Sequence, residues 1–156
     1  MEEIFLRPIG FISSPYKTPS DVPRQAIYAE KDEAYIQLKK KYQLGLKDLD
    51  QFSHALIIFY FHQSNREDIQ ATPFLDSQKR GIFAIRSPHR PNHIGCSVVS
   101  IKRIVDDKLY FAGVDMIDNT PVLDIKPFIP AVDHVDSVSL GWLAKYQDDD
   151  MVHQKQ

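Results

Sequence analysis

The sequence predicts a mostly-β, single-domain barrel with a few short helices. Its apolar residues come in short runs of strand length. Ten prolines in 156 residues interrupt those runs, and helical periodicity is scarce. Residues 4–14 read as a first strand, ended by Pro15. Residues 15–25 carry three prolines and read as a loop, and residues 26–29 suit a short strand. In residues 34–39, Ile36 and Leu38 alternate with polar neighbours, which suits a strand; a helix through Lys41 is the rival assignment. Leu46, Leu49 and Phe52 sit three apart, as in one or two helical turns. The continuous apolar run ALIIFYFH, residues 55–62, is the best central strand. Residues 65–79 are polar and turn-like, a mobile excursion, and residues 81–86 read as a strand. Residues 97–105 and 108–115 form a hairpin about Asp106-Asp107. Residues 118–121 (DNTP) turn the chain, with Asn119 suited to a left-handed backbone. Residues 122–129 are a last strand, and residues 138–146 a short helix packing Trp142. A glycine-rich Rossmann turn and a P-loop are both lacking.

The length suits one domain with a hydrophobic core. The formal net charge is −2, but it is unevenly spread. Between Ser77 and Val105 lie Lys79, Arg80, Arg86, Arg90, Lys102 and Arg103, with no acidic residue among them. Such a basic middle in an acidic chain points to a local anion site or a solvated basic face. The single cysteine, Cys96, excludes an intrachain disulfide and suits a reducing cytoplasm. No apolar run is long enough to span a bilayer, and no signal peptide is evident. The tail, residues 148–156, is polar and frayed.

The most chemically loaded stretch is GIFAIRSPHRPNHIGCS, residues 81–97. Pro88 and Pro91 stiffen a loop that carries Arg86, Arg90 and Asn92, and Gly95 lets the chain turn or a ligand approach. The guanidinium fork suits a carboxylate or phosphate. Alternatively, Arg86 and Arg90 brace the barrel by pairing with Asp115, Asp118 or Asp124. His62 ends the central strand, where QSN opens a polar mouth; it reads as a hydrogen-bonded core residue or a base. His89 and His93 are four apart but separated by Pro91, and no third ligand has zinc-site spacing, so no metal is expected. Cys96 lacks a nucleophile's context and reads as a small buried hydrophobe. Residues 115–124 set three aspartates, Asn119 and Thr120 around one turn. They suit ribose hydroxyls or an ammonium group, or an Asx turn that satisfies its own backbone.

Taken together, PIGFISSPY (8–16) followed by PRQ (23–25) as one motif, FSH (52–54) with the run ending Phe61-His62, the 81–97 loop and DNTPVLDIKP (118–127) resemble one family. It is the TrmO (YaeB, VirR, TsaA-like) group of S-adenosylmethionine-dependent tRNA methyltransferases. Four motifs in order over about residues 4–130 are far more specific than any one. The resemblance implies a non-Rossmann barrel, here over residues 1–147, and a cytoplasmic homodimer; the C-terminal extension domain of longer bacterial members is not expected in this chain. It implies methylation of N6 on the threonylcarbamoylated adenosine beside the anticodon. The cofactor positions it implies are Pro23, Arg24, Gln25, Phe61, His62, Arg86, Cys96, Ser97, Asp118, Asn119, Thr120, Pro121 and Val122. Arg90 and Asn92 fall to the substrate, and Asp118, Asp124 and His62 are the possible bases. Two positions depart from the family pattern: His93 stands where R-P-N-P-I-G has its second proline, and Asn119 where D-G-T-P has glycine. A non-catalytic barrel binding S-adenosylmethionine or RNA is the alternative. A metal hydrolase on His89, His93 and nearby aspartates is the third reading of the residues.

Overall fold

The computed structural model describes residues 3–23 and 32–146. Its centre is a closed barrel of six antiparallel strands. These are β1 (Gly10–Ser13), β2 (Glu33–Leu38), β3 (His54–Tyr60), β6 (Ile94–Val105), β7 (Lys108–Ala112) and β8 (Pro121–Pro127). Around the barrel the order is β1-β2-β7-β6-β3-β8, closing through β8 against β1. The two remaining strands, β4 (Gln70–Ala71) and β5 (Arg80–Gly81), form a small separate ladder in the excursion between β3 and β6. One four-residue helix, α1 (Pro130–Asp133), follows β8.

The period-two pattern places the core inside the barrel. Ala55, Ile57 and Phe59 of β3 point inward and are buried, as are Ile36 of β2, Val99 of β6 and Phe111 of β7. Val114 and Met116, just past β7, join the same cluster. Residues Lys102 of β6 and Leu123 of β8 are extra in their ladders, which slip by one residue there. Such bulges bend strands, which suits the curvature a six-stranded barrel requires. The run expected to form the central strand does so, paired on both sides. Only alternate residues are buried, and the partly exposed Leu56 and Ile58 lie on the outer wall.

Several expectations are corrected. The first strand begins only at Gly10, because residues 4–6 are exposed. Residues 81–86 are not a strand: after β5 the chain makes a 3-10 turn, Ile82–Ala84, with only Ile82 of the three buried. The 34–39 segment is strand rather than helix, and the helical turns follow it at Lys40–Leu46 and Leu49–Gln51. The hairpin about residues 106–107 and the left-handed Asn119 (φ 62°) are as expected. A 3-10 helix, Gly141–Lys145, carries Trp142. The strand expected at residues 26–29 lies outside the described residues.

Candidate functional site

Because all barrel neighbours are antiparallel, the ladder registers define two ends. One rim carries the C-terminal ends of β1, β3 and β7 and the N-terminal ends of β2, β6 and β8. Pro23 and the turn at residues 118–120 belong to loops at this rim. So do Phe61, His62 and the 86–93 loop. Cys96 and Ser97 lie just inside it on β6. Arg24 and Gln25 lie outside the described residues. The opposite end holds a cleft of about 470 Å³ lined by Ile9, Leu38, Tyr42, Leu46, Phe52 and Pro127 among others. It contains none of the predicted residues, and its lining is apolar apart from Lys41, Lys47 and Asp48. The predicted residues that are described gather at the rim, apart from Asp124 on the barrel wall, and the rim is therefore the candidate site.

The turn at residues 118–120 is locked across the end of β1. Asn119 N–H donates to the Ile12 carbonyl at 2.8 Å, Ile12 N–H to the Thr120 carbonyl at 2.9 Å, and Asp118 N–H to the Tyr16 carbonyl at 2.7 Å. Thr120 is buried, and its hydroxyl donates to the Ile117 carbonyl at 2.7 Å. Asp118 accepts from the Ser14 N–H at 3.0 Å and pairs with Lys17 at 2.9 Å. The Lys17 ammonium first, then the Ser14 N–H, hold its carboxyl below the usual carboxylate range. Asp118 is thus a fixed anion whose oxygens are engaged by Lys17, the Ser14 N–H and the Asn119 amide. Beside it, the Tyr16 hydroxyl donates to Asp32. Burial and that carboxylate push the phenol up to about 12. Sequence reasoning missed Lys17 and Asp32, because partners about 100 residues apart, or across a loop, leave no local signal.

On β6, Ser97 is buried, and its hydroxyl lies 2.8 Å from both carboxylate oxygens of Asp115. Cys96 points the other way. It is partly exposed on the outer wall opposite Ile58, which corrects the expectation of a buried hydrophobe. Partial burial first, and the Asp115 carboxylate after it, raise its thiol against the pull of Arg86, the opposite of what an activated nucleophile needs. Its contribution at this position is its carbonyl, which accepts from Arg86 Nη2 at 2.7 Å. Gly95 neither turns the chain nor opens space for a ligand. A Cβ there would lie 2.4 Å from the Phe59 ring and 2.8 Å from Phe61, so the glycine lets β6 close over two aromatic rings.

In the loop before β6, Asn92 and His93 both have positive φ, 63° and 49°. A proline, fixed near −65°, cannot adopt that conformation, so the His93 departure is part of how this loop is shaped. His93 Nδ1 lies 3.2 Å from the Pro88 carbonyl, and its ring meets Tyr60 edge-on. His89 Nδ1 lies 2.8 Å from the Ser64 hydroxyl. No group of three or more His, Cys, Asp or Glu among the described residues is placed to hold a metal. Arg90 donates to the Ile85 carbonyl at 3.1 Å. Asp124 lies on the outer wall, paired with Lys126 at 2.7 Å and bonded to the Ile125 N–H. The basic stretch is no continuous surface: Arg80 binds Asp76, and Arg103 forks onto Glu33 at 2.8 and 2.9 Å on the barrel wall.

His62 stands apart. Its Nδ1 is buried and has no hydrogen-bond partner among the described residues. Burial lowers its basicity below that of an ordinary histidine. A buried polar atom without a partner calls for an explanation, and an absent ligand is one.

A closed antiparallel barrel with ligand-type residues gathered on the loops of one rim defines a non-Rossmann binding barrel. Residues 11–134 match the family model of the tRNA-methyltransferase O N-terminal domain, and the chain belongs to that family. A probable S-adenosyl-L-methionine-binding protein of Pyrococcus abyssi is 42% identical over 142 residues, 91% of this chain and 77% of that protein. The human tRNA (adenine(37)-N6)-methyltransferase is 34% identical over 142 residues, 86% of this chain but 32% of that protein. The crystal structure of TrmO from Pseudomonas aeruginosa superposes with a TM-score of 0.78 at 34% identity, over 90% of this chain and 62% of that one. The chain thus spans about a third of the human relative's length.

Proposed function

We propose that this barrel is an S-adenosylmethionine-dependent methyltransferase acting on N6 of threonylcarbamoylated adenosine beside the anticodon of tRNA. The observation that carries the reading is the convergence at one rim of Arg86, Ser97, the 118–120 turn and His62, with a buried, unpartnered Nδ1. The residues present fit the cofactor. Asp118 and Asn119 offer polar groups suited to ribose hydroxyls or the methionyl ammonium. The part-buried Ser97–Asp115 pair adds an anion at the same rim, and Arg86 a cation for the carboxylate.

S-adenosylmethionine, when bound, supplies a methyl already activated on a sulfonium. The chain's own residues then bind, orient and manage one proton. The adenine N6 lone pair is delocalised, and a carbamoyl substituent acidifies the remaining N–H, so removing that proton assists transfer. Of the three possible bases, Asp118 is tied to Lys17 and Ser14, and Asp124 to Lys126 on the outer wall. His62 is in no ion pair and its Nδ1 has no partner among the described residues, so it is the base this reading favours. Arg90 spends one N–H on Ile85 and keeps the rest of its fork for the threonyl carboxylate. A flipped loop adenosine suits such a rim.

The outer wall adds support for a homodimer. Leu56, Ile58, Tyr60, Ile94 and Val98 form a partly exposed apolar strip across β3 and β6, of the kind a second copy covers. No helix among the described residues is long and apolar enough to cross a membrane; a tRNA substrate would place the protein in the cytoplasm.

Incubation with labelled cofactor and total tRNA, followed by nucleoside analysis, tests the reading. Label in methylated threonylcarbamoyladenosine is expected, and at saturating cofactor it should fall at least a hundredfold in His62→Ala, the scale of a lost general base. Tight cofactor binding with no labelled nucleoside would instead establish the non-catalytic module.

A further inference from the structure

The leg of chain that delivers Arg86 is poorly anchored by its own residues. Of the 3-10 turn Ile82–Ala84, only Ile82 is buried, and Phe83 is 78% exposed. Beyond its own contacts, the Ile82 N–H on the Ile69 carbonyl at 2.9 Å among them, the leg is held from far along the sequence. Trp142 Nε1–H donates to the Ala84 carbonyl at 2.8 Å. The Arg80 guanidinium lies over the Trp142 ring, 5.4 Å from its centroid. Arg80 in turn pairs with Asp76, whose side chain is 3% exposed. Asp76 also accepts from Lys145 at 3.3 Å and from the Ser77 N–H at 2.8 Å.

The 3-10 helix Gly141–Lys145 therefore grips the excursion at two points. Trp142 holds the exit leg and Lys145 holds the Asp76 turn. Successive groups of the leg are then fixed: the Ala84 carbonyl by Trp142, the Ile85 carbonyl by Arg90, and the Arg86 side chain on the Cys96 carbonyl. This helix lies beyond residue 134, where the family match ends.

We infer that the helix Gly141–Lys145 is a clasp, and that Trp142 is a positioning residue that sets Arg86 for the cofactor. The cofactor part rests on the reading proposed above; the clasp itself does not. Loss of the indole donor frees the leg before it frees anything in the barrel, because the leg has one buried anchor and the strands have many.

Two measurements on Trp142→Phe, which keeps an aromatic ring and removes the N–H, test this. Amide hydrogen exchange in peptides covering residues 82–90 should quicken roughly three- to tenfold, the scale of one net hydrogen bond. Peptides from β3 and β7 should be unchanged. The dissociation constant for S-adenosylmethionine, by calorimetry, should rise by a similar factor. Lys145→Gln, at a half-exposed site, should move the same exchange in the same direction. Unchanged exchange at residues 82–90 in both variants, or equal quickening across the barrel, overturns the clasp. Quickened exchange with wild-type cofactor affinity overturns the positioning role. If the wild-type protein binds no S-adenosylmethionine, the methyltransferase reading and the positioning role fall together, and the exchange still decides the clasp.

Discussion

Substituting Gly95 by alanine probes the contact on which the rim is built. Gly95 faces Phe59 across the β3–β6 ladder. The added methyl would sit 2.4 Å from Phe59 Cε2 and Cζ and 2.8 Å from Phe61 Cζ, against a comfortable carbon separation of about 3.5–4.0 Å. Phe59 is 2% exposed and cannot swing into solvent. Its ring meets Phe61 edge-on at 5.1 Å, so relieving one clash transmits it to the other. Overpacking costs about 1–3 kcal/mol, and two blocked rings place this case near about 3 kcal/mol. For a domain of this size that lowers Tm by about 6–12 °C. Phe61 precedes His62, so cofactor affinity should fall as well. Calorimetric melting is the assay. Gly81→Ala is the control, since nothing lies within 4 Å of a Cβ there; it should stay within about 0.5 kcal/mol of the parent. Adding Phe59→Leu to Gly95→Ala should recover part of the loss, giving a coupling of about 1 kcal/mol or more. A Gly95→Ala protein melting within about 2 °C of the parent would refute the packing argument.

Two further outcomes follow from the rim. Ser97→Ala removes a buried donor to the Asp115 carboxylate and should cost about 1.5–3 kcal/mol in denaturant unfolding; cofactor affinity should fall with it. The acid limb of stability should have two parts. His62 is depressed by burial, so its contribution is whole above the ordinary histidine value of about 6.5 and drains as pH falls toward its lower folded value. Asp118 is depressed by Lys17, so its contribution is whole above about pH 4 and drains below that. In pH-dependent melting, His62→Gln should flatten the first part, and Asp118→Asn should reduce the second, which Asp76, Glu33 and Asp21 share because their carboxyls are also held low.

Much of this molecule is legible in the chain. The alternation in residues 34–38 and the run at 55–60 place two barrel strands, because a strand with one face in the core must repeat every second residue. Asp106-Asp107 and Asn119 mark their turns, because few side chains tolerate a positive φ. The segments that form the site also stand out, since prolines, arginines and histidines do not cluster for packing alone. Residues 81–86 mislead, because an apolar run of strand length carries no sign of whether a partner strand is available. Here the excursion offers only two residues, and the chain turns instead.

What the sequence by itself determined is the fold class, the family and the set of segments that meet. These depend on local periodicity, turn chemistry and motif order, all of which a linear chain displays. Only the tertiary structure decided which way each side chain faces and what it meets. Cys96 turns out and Ser97 turns in because β6 alternates from Gly95. Gly95 is there for two rings rather than for a ligand. Lys17 fixes Asp118 and Trp142 grips Ala84 across long stretches of chain, and such pairings exist only once the barrel has closed and brought its loops to one rim.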